Sequence, residues 1–288
     1  MRNNIRLFTR CIRVCLLLTL TPAALQANSA PISVASINLC TDQLLILLAD
    51  PEQIASLSNL SHESAGSYYY QQARNYPINK GLSEQILPLK PDLVLAGSYT
   101  PTHTLTQLRS LGLQVEIVPI ANSFESMLNN ISSVAQWINQ SARGDAIISD
   151  LQNRLTELNA PPDHPPSVAI YDPNGYTVGA NTLRGQLLEL SGWINIASEA
   201  GIDSYGSLSL ETLVRHAPDA LIDSPYSENT YSRGQDLTRH PAIRQAGLNP
   251  HIISIPSRMT ICAGPWTMDV IEMLQQERKQ LMENYQWR

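Results

Sequence analysis

Short catalytic signatures are missing from this chain. No Gly-x-Ser-x-Gly turn presents a nucleophile, no phosphate-binding P-loop occurs, and no Gly-x-Gly-x-x-Gly follows the first strand. Histidine is sparse and scattered. His62, His103, His164, His216, His240 and His251 show no short metal-ligand spacing, so each reads as a surface or helix-end residue. No zinc or manganese site made of protein ligands alone is expected. Beyond the first 27 residues there is neither an apolar run of membrane length nor a low-complexity tract. Positive charge is also in deficit. The full chain has 19 basic and 25 acidic residues, and removing the four arginines of the leader leaves 15 against 25, a net charge of −10. A broadly acidic surface argues against nucleic acid as a partner.

What is present begins with that leader. Arg2, Arg6, Arg10 and Arg13 precede an apolar run over residues 14–25, and Ala27 (with Ala30 as the alternative) supplies a small residue for cleavage. Residues 1–27 therefore read as a secretory signal peptide, too short to span a bilayer comfortably. Cys11 and Cys15 leave with it, and no cysteine directly follows the run to carry a lipid. Two cysteines, Cys40 and Cys262, remain in what is then an oxidising compartment. The remaining chain is long enough for two cores.

The chain is organised around a stretch that it repeats. Residues 83–97 read SEQILPLKPDLVLAG and residues 210–224 read LETLVRHAPDALIDS. Setting Glu84 on Glu211 brings Pro91-Asp92 onto Pro218-Asp219 without a gap, and aliphatic residues coincide at Ile86/Leu213, Leu87/Val214, Val94/Leu221 and Leu95/Ile222. Each copy describes a short helix opened by Glu, stopped by Pro, and followed by an apolar strand buried on both faces. Proline also pushes its predecessor toward extended geometry. Two copies point to two similar α/β lobes. In such a lobe a helix that precedes a strand starts at the carboxyl edge, the edge at which open parallel sheets bind ligands. Glu84 and Glu211 then sit on that rim, one per lobe, either as ordinary solvated first-turn carboxylates or as a matched pair of docking charges.

Taken in order, strands are expected at residues 32–37, 54–58 and 113–118, with a helix after the turn Asn38–Asp42 capped by Thr41 or Asp42, and another at 101–111. Alternating strand and helix at these lengths means a doubly wound, mostly parallel sheet. A long helical region follows over 123–158, interrupted at Gly144, and its second part (145–158) is the single connection between lobes. The expected organisation is an N-terminal lobe at 28–140, an interlobe helix at 141–160 and a C-terminal lobe at 161–288. In the second lobe, strands are expected at 168–171 and 251–255, a Gly-containing loop at 172–180, and helices at 183–190 and 266–281.

Loops at the strand ends define the candidate ligand site. They place Asn38, Cys40 and Tyr99 in the first lobe and Tyr176, Arg184, Tyr205, Arg258, Cys262 and Trp266 in the second. Aromatic side chains across a cleft suit a large, flat or part-apolar ligand. Cys40 and Cys262 fall one in each lobe. They form a disulfide, ligate a soft metal, or stay as free thiols beside the ligand; free thiols are favoured here, because a bridge across the lobes would restrict opening. Rival readings make Cys40 the nucleophile of a secreted enzyme at a helix start, or the chain a ligand sensor on the same fold.

The leader, the strand ending in INLCTDQLL, the copies GLSEQILPLKPDLVLAG and SLETLVRHAPDALI, and the late SRMTICAGPW together resemble the periplasmic substrate-binding proteins for vitamin B12, ferric siderophores and haem that feed ABC importers. The resemblance covers nearly the whole mature chain. It implies two α/β lobes joined by one rigid helix, a ligand cleft between them, modest closure, and no catalysis. It implies that Glu84 and Glu211 dock onto arginines of an inner-membrane permease, and that the protein is a periplasmic monomer without a resident cofactor. The ligand implied is a metal chelate, with a corrinoid placed ahead of a ferric compound. Aromatic contacts from Tyr99, Tyr205 and Trp266 fit the corrinoid, Arg184 and Arg258 an anionic siderophore, and the run Tyr68–Tyr70 an axial ligand for haem. The turn Asn-Leu-Cys-Thr-Asp departs from better-known members.

Overall fold

The computed structural model describes residues 32–224, 241 and 247–284. The expected signal peptide and cleavage site lie outside the described residues, as does His240. The first lobe is built from β1 (Val34–Ser36), α1 (Leu39–Leu48), β2 (Ile54–Ser58), α2 (Tyr70–Ala73), β3 (Ile78–Asn79), α3 (Ser83–Ile86), β4 (Leu93–Gly97), α4 (Thr102–Ser110) and β5 (Val115–Val118). Its five strands are all parallel, in the order β3-β2-β1-β4-β5. After α5 (Phe124–Trp137) and α6 (Ser141–Thr156), the second lobe contains β6 (Ser167–Ile170), β7 (Tyr176–Val178), α7 (Leu183–Leu190), β8 (Ile194–Asn195), α8 (Ile196–Glu199), β9 (Tyr205–Ser207), α9 (Leu210–His216), β10 (Ala220–Asp223), β11 (His251–Ser254) and α10 (Trp266–Asn284). Here four parallel strands run in the order β11-β10-β6-β8. The two sheets therefore share one topology: β8-β6-β10-β11 repeats β2-β1-β4-β5. The expected doubly wound α/β architecture of two lobes is what the chain adopts.

The internal repeat has a structural meaning that extends to single atoms. Ile86 and Val94 pack in a cluster on the outer face of the first sheet, and their counterparts Leu213 and Leu221 pack in the equivalent cluster of the second. Leu95 and Ile222 face the other way, into the main core. Asp92 Oδ2 accepts the backbone N–H of Ser33 at 2.8 Å, and Asp219 Oδ2 accepts that of Ser167 at 2.8 Å. In each lobe the aspartate of Pro-Asp thus clips the start of the central strand to its neighbour, which satisfies an edge N–H that would otherwise have no ladder partner. The residue before each proline is not extended, as expected, but left-handed: Lys90 has φ 46° and Ala217 has φ 48°. A left-handed residue closes the last helical turn, with the Ala217 N–H returning to Leu213 O at 3.0 Å, and turns the chain directly into the strand. The same device recurs in both lobes despite a cost of about 1–2 kcal/mol per residue.

Three further expectations are corrected. The helical region at 123–158 breaks not at Gly144 but at Asn139, whose φ is 61°. Gly144 lies inside α6, where a Cβ would stand 2.5 Å from that of Ala135, so it marks the close approach of α6 to α5. The loop expected at 172–180 instead holds a tight turn and β7, which pairs with β9 as an antiparallel ribbon. Thr41 and Asp42 do not cap α1. The cap is Asn38, in extended conformation immediately before the helix, with Oδ1 accepting the N–H of Cys40 at 2.9 Å.

Helix α6 is fastened at both ends. Arg143 pairs with Asp50 at 2.6 Å, and Gln140 reaches the same carboxylate at 2.9 Å. At the far end Arg154 meets Asp269 at 2.7 Å and Glu272 at 2.9 Å, both on α10.

Asp42 has turned inward instead of capping. Its carboxylate accepts the Ser58 N–H at 2.9 Å and the Ser58 hydroxyl, tying α1 to the end of β2. Burial pushes its pKa from 3.8 up to about 7, against the opposing pull of the serine hydrogen bonds. An acid whose pKa is raised by folding favours the folded state most below its unfolded pKa, and this advantage is lost as pH rises toward the folded value. Between 3.8 and about 7 the loss runs at up to about 1.4 kcal/mol per pH unit. Asp42→Asn keeps an acceptor for Ser58 and removes the titration. Its melting temperature relative to wild type is expected to rise as pH goes from about 5 to about 8; a pH-independent difference overturns this assignment.

Candidate functional site

The carboxyl ends of both sheets open onto one cleft of about 520 Å³. The first lobe contributes the turn from β1 into α1 (Asn38, Leu39, Cys40, Thr41), the loop after β4 (Gly97, Ser98, Tyr99) and the segment after β5 (Val118, Pro119, Ile120, Ala121). The second contributes Tyr176 and Val178 from β7, the start of α7 (Thr182, Leu183, Arg184), Tyr205 from β9, and the segment Thr260, Ile261, Cys262, Ala263. Seven sequence-predicted residues therefore share one cavity wall: Asn38, Cys40, Tyr99, Tyr176, Arg184, Tyr205 and Cys262.

Local geometry explains why they meet. Gly97 ends β4 beside β1, where any Cβ would fall 2.6 Å from the Asn38 side chain, so glycine there lets Asn38 cap α1. Tyr176 and Tyr205 stand on adjacent strands of the β7–β9 ribbon with their rings stacked 6.3 Å apart. Tyr99 faces the opening from the first lobe and is 85% exposed. Burial and the neighbouring Tyr205 hold the Tyr176 hydroxyl above its ordinary pKa, so it is a neutral phenol at physiological pH. Among the described residues, no group of three or more His, Cys, Asp or Glu is arranged to hold a metal.

The cysteines are bridged. Cys40 and Cys262 form a disulfide with Cα atoms 5.2 Å apart, which corrects the expectation of free thiols. The first turn of α1 and the segment before α10 converge at the cleft floor, which brings the two sulfurs within bonding reach. The bridge also removes the thiol that a Cys40 nucleophile or a soft-metal ligand requires.

Trp266 and Arg258 are not cleft residues. Trp266 is 1% exposed, donates Nε1–H to Cys262 O at 2.8 Å, and stacks on Tyr68 with centroids 4.8 Å apart. Its edge-on neighbour is Tyr69 at 5.5 Å. Gly264 permits this seat, since a Cβ there would come within 2.2 Å of the indole. Tyr68 and Tyr69 are thus spent on packing. Burial, with the Asp269 charge nearby, holds the Tyr68 hydroxyl above its ordinary pKa, and burial pushes the Tyr69 hydroxyl up to about 12, a poor prospect for an axial ligand. Arg258 lies in the short turn Ser257–Met259, with its charge beside Tyr68.

Arg184 does line the cleft, but it is already paired. Its Nη1 meets Asp172 Oδ2 at 2.6 Å, and its Nη2 reaches Asp172 Oδ1 at 3.4 Å and Ser224 Oγ at 2.9 Å. Glu84 and Glu211 lie outside the cleft, exposed in the first turns of α3 and α9. A backbone N–H and Ser209 hold the Glu211 carboxylate below the usual range. Sequence reasoning missed the apolar lining from Ile120. Ile120 follows the carboxyl end of β5, where the strand-end rule already points.

The disulfide closes 222 residues of chain, for which loop entropy gives about 5 kcal/mol of stabilisation. Adding reductant to the mature protein is expected to lower its melting temperature by about 10 °C. The double substitution Cys40→Ser, Cys262→Ser should match reduced wild type and no longer respond to reductant. A transition unmoved by reductant would mean that packing alone holds the cleft floor.

A family model described as periplasmic binding protein matches residues 34–259. A cobalamin-binding protein of Halobacterium salinarum is 27% identical over 209 residues, which cover 69% of this chain and 55% of that one, so the chain spans about half of that relative. The vitamin B12-binding protein of Vibrio parahaemolyticus is 22% identical over 267 residues, covering 90% of this chain and 94% of its own. Among solved structures, the periplasmic haem-binding protein HutB of Vibrio cholerae superposes with a TM-score of 0.71 at 22% identity, over 85% of this chain and 98% of its own. The shared fold, the cleft at its sheet ends and the family match over most of its length agree: the chain belongs to the periplasmic binding protein family.

Proposed function

We infer that this protein captures a metal chelate in the cleft and presents it to the permease of an ABC importer, binding without chemistry. The observation that carries the reading is the wall of exposed tyrosines and aliphatics at the carboxyl edges of two sheets in a chain of this family. Tyr99, Tyr176 and Tyr205 offer flat, amphiphilic surfaces, while Asn38 and Ser98 supply amide and hydroxyl groups for orientation. A cobalamin-type corrinoid is favoured over haem or a ferric siderophore. Two relatives are named for cobalamin or vitamin B12, and a corrinoid brings its own axial base. Haem would need an axial ligand from the protein, for which the cleft offers tyrosines but, among the described residues, no histidine.

Secretion by the leader, cleavage after Ala27, a monomeric state and lobes at 28–140 and 161–288 joined through 141–160 belong to the same reading. So does docking through Glu84 and Glu211. They occupy equivalent positions of the repeat, one per lobe, and neither is used by the cleft.

Isothermal titration of the mature chain with cyanocobalamin and with haem in parallel tests the ligand. Saturable one-to-one binding of cyanocobalamin at sub-micromolar concentration is expected; heat from haem alone, or from neither, sinks the corrinoid reading. The double substitution Glu84→Ala, Glu211→Ala should leave that affinity within about twofold while reducing uptake into cells about tenfold or more. Normal uptake by the double variant would remove both residues from docking.

A further inference from the structure

Arg184 is the one charged side chain among the described residues of the cleft wall. It does not meet the ligand space as a free cation. Asp172 accepts from both of its terminal nitrogens, at 2.6 and 3.4 Å, and the side chains are only 20% and 11% exposed. Ser224 Oγ completes the set at 2.9 Å. The carboxylate is held in place by its own backbone. The Asp172 N–H donates to Tyr176 O at 2.8 Å, and its carbonyl accepts from Gly175 at 3.0 Å across a tight turn in which Asn174 and Gly175 both have positive φ. Asp172 is therefore fixed against Arg184 by the same turn that launches Tyr176 into the cleft.

We propose that Asp172 is a specificity-determining residue that cancels the charge of Arg184, so that the cleft selects electrically neutral chelates over anionic ones. The proposal rests on the chelate-binding reading of the site. An anionic group approaching Arg184 meets the aspartate as well, and it must displace a tethered carboxylate whose effective concentration is high. A neutral carbonyl faces no such contest. A guanidinium carries five N–H donors and three contacts are filled, which leaves donors that an amide oxygen can accept from. Selection comes from a built-in competitor, with no need for a clash.

The test compares cyanocobalamin with its monocarboxylates, in which one peripheral amide at a time is hydrolysed to the free acid. Shape is kept and a single negative charge is added. Wild-type mature protein should bind each acid isomer more weakly than the parent, by about tenfold for the isomer that reaches Arg184. Asp172→Asn should narrow or invert that ratio and make acid binding weaken with salt, while parent binding stays nearly salt-independent. Arg184→Met, which leaves the aspartate unpaired, should widen the ratio, and it serves as the second test if Asp172→Asn does not fold. Equal binding of parent and acids by wild type overturns the charge cancellation alone, as does a ratio unmoved in the folded variants. Haem bound with cyanocobalamin refused overturns both the corrinoid reading and this one. Failure of every chelate overturns the reading of the site itself, and this proposal with it.

Discussion

The cleft depends on one covalent constraint. The bridge between Cys40 and Cys262 joins the first turn of α1 to the segment that leads into α10, and so fixes the two lobes at the floor of the space between them. The surrounding contacts are arranged about that point. Trp266 hydrogen-bonds to the carbonyl of Cys262 and stacks on Tyr68 of the other lobe. Asp269, one turn along α10 from Trp266, receives Arg154 from α6. Covalent bond, aromatic stack and ion pair follow one another along a continuous line from the first lobe through the second to the helix that connects them. Hinge opening of the kind that separates lobes at their base is incompatible with this line. The cleft walls retain their freedom at the mouth, where Tyr99, Ile120 and Ile261 are exposed.

Duplication accounts for the frame in which the bridge sits. The sheets repeat each other strand for strand, and the Pro-Asp of each copy performs one task twice: a left-handed residue ends the helix, and the aspartate clips the central strand. The lobes diverge at their carboxyl edges. The second carries the β7–β9 ribbon with its stacked tyrosines, whereas the first presents the α1 turn and two strand-end segments. Common backbone and private loops are the expected outcome when the scaffold is held by packing and the site by connecting segments.

Much of the frame was legible in the sequence because its signals are local. The repeat alone located β4, β10, α3 and α9, and helix 183–190 was read to the residue. Loops at strand ends brought seven predicted residues to one cavity. What was not legible required the third dimension. Trp266 was read as a cleft aromatic from its residue type, but the direction of the ring is set by Gly264 and by tyrosines some 200 residues away in sequence. Arg184 was read as a free cation because its partner lies 12 residues earlier across a turn that has no helical or strand period. The ribbon was missed because three-residue strands are too short to show alternation. Each cysteine was assigned to the cleft by its loop, while their pairing is a statement about distance.

That pairing also couples the bond to the assembly of the lobes. Cys40 stands near the start of the folded region and Cys262 near its end, 222 residues apart. The bond joins the outermost parts of a doubly built molecule, so neither lobe can form it alone. In the native fold the two sulfurs are brought together by α1 from the first lobe and by the segment before α10, which carries the seat of Trp266. Assembly of both lobes holds each thiol at the other and so favours the bond, and the bond in turn holds the assembled lobes together.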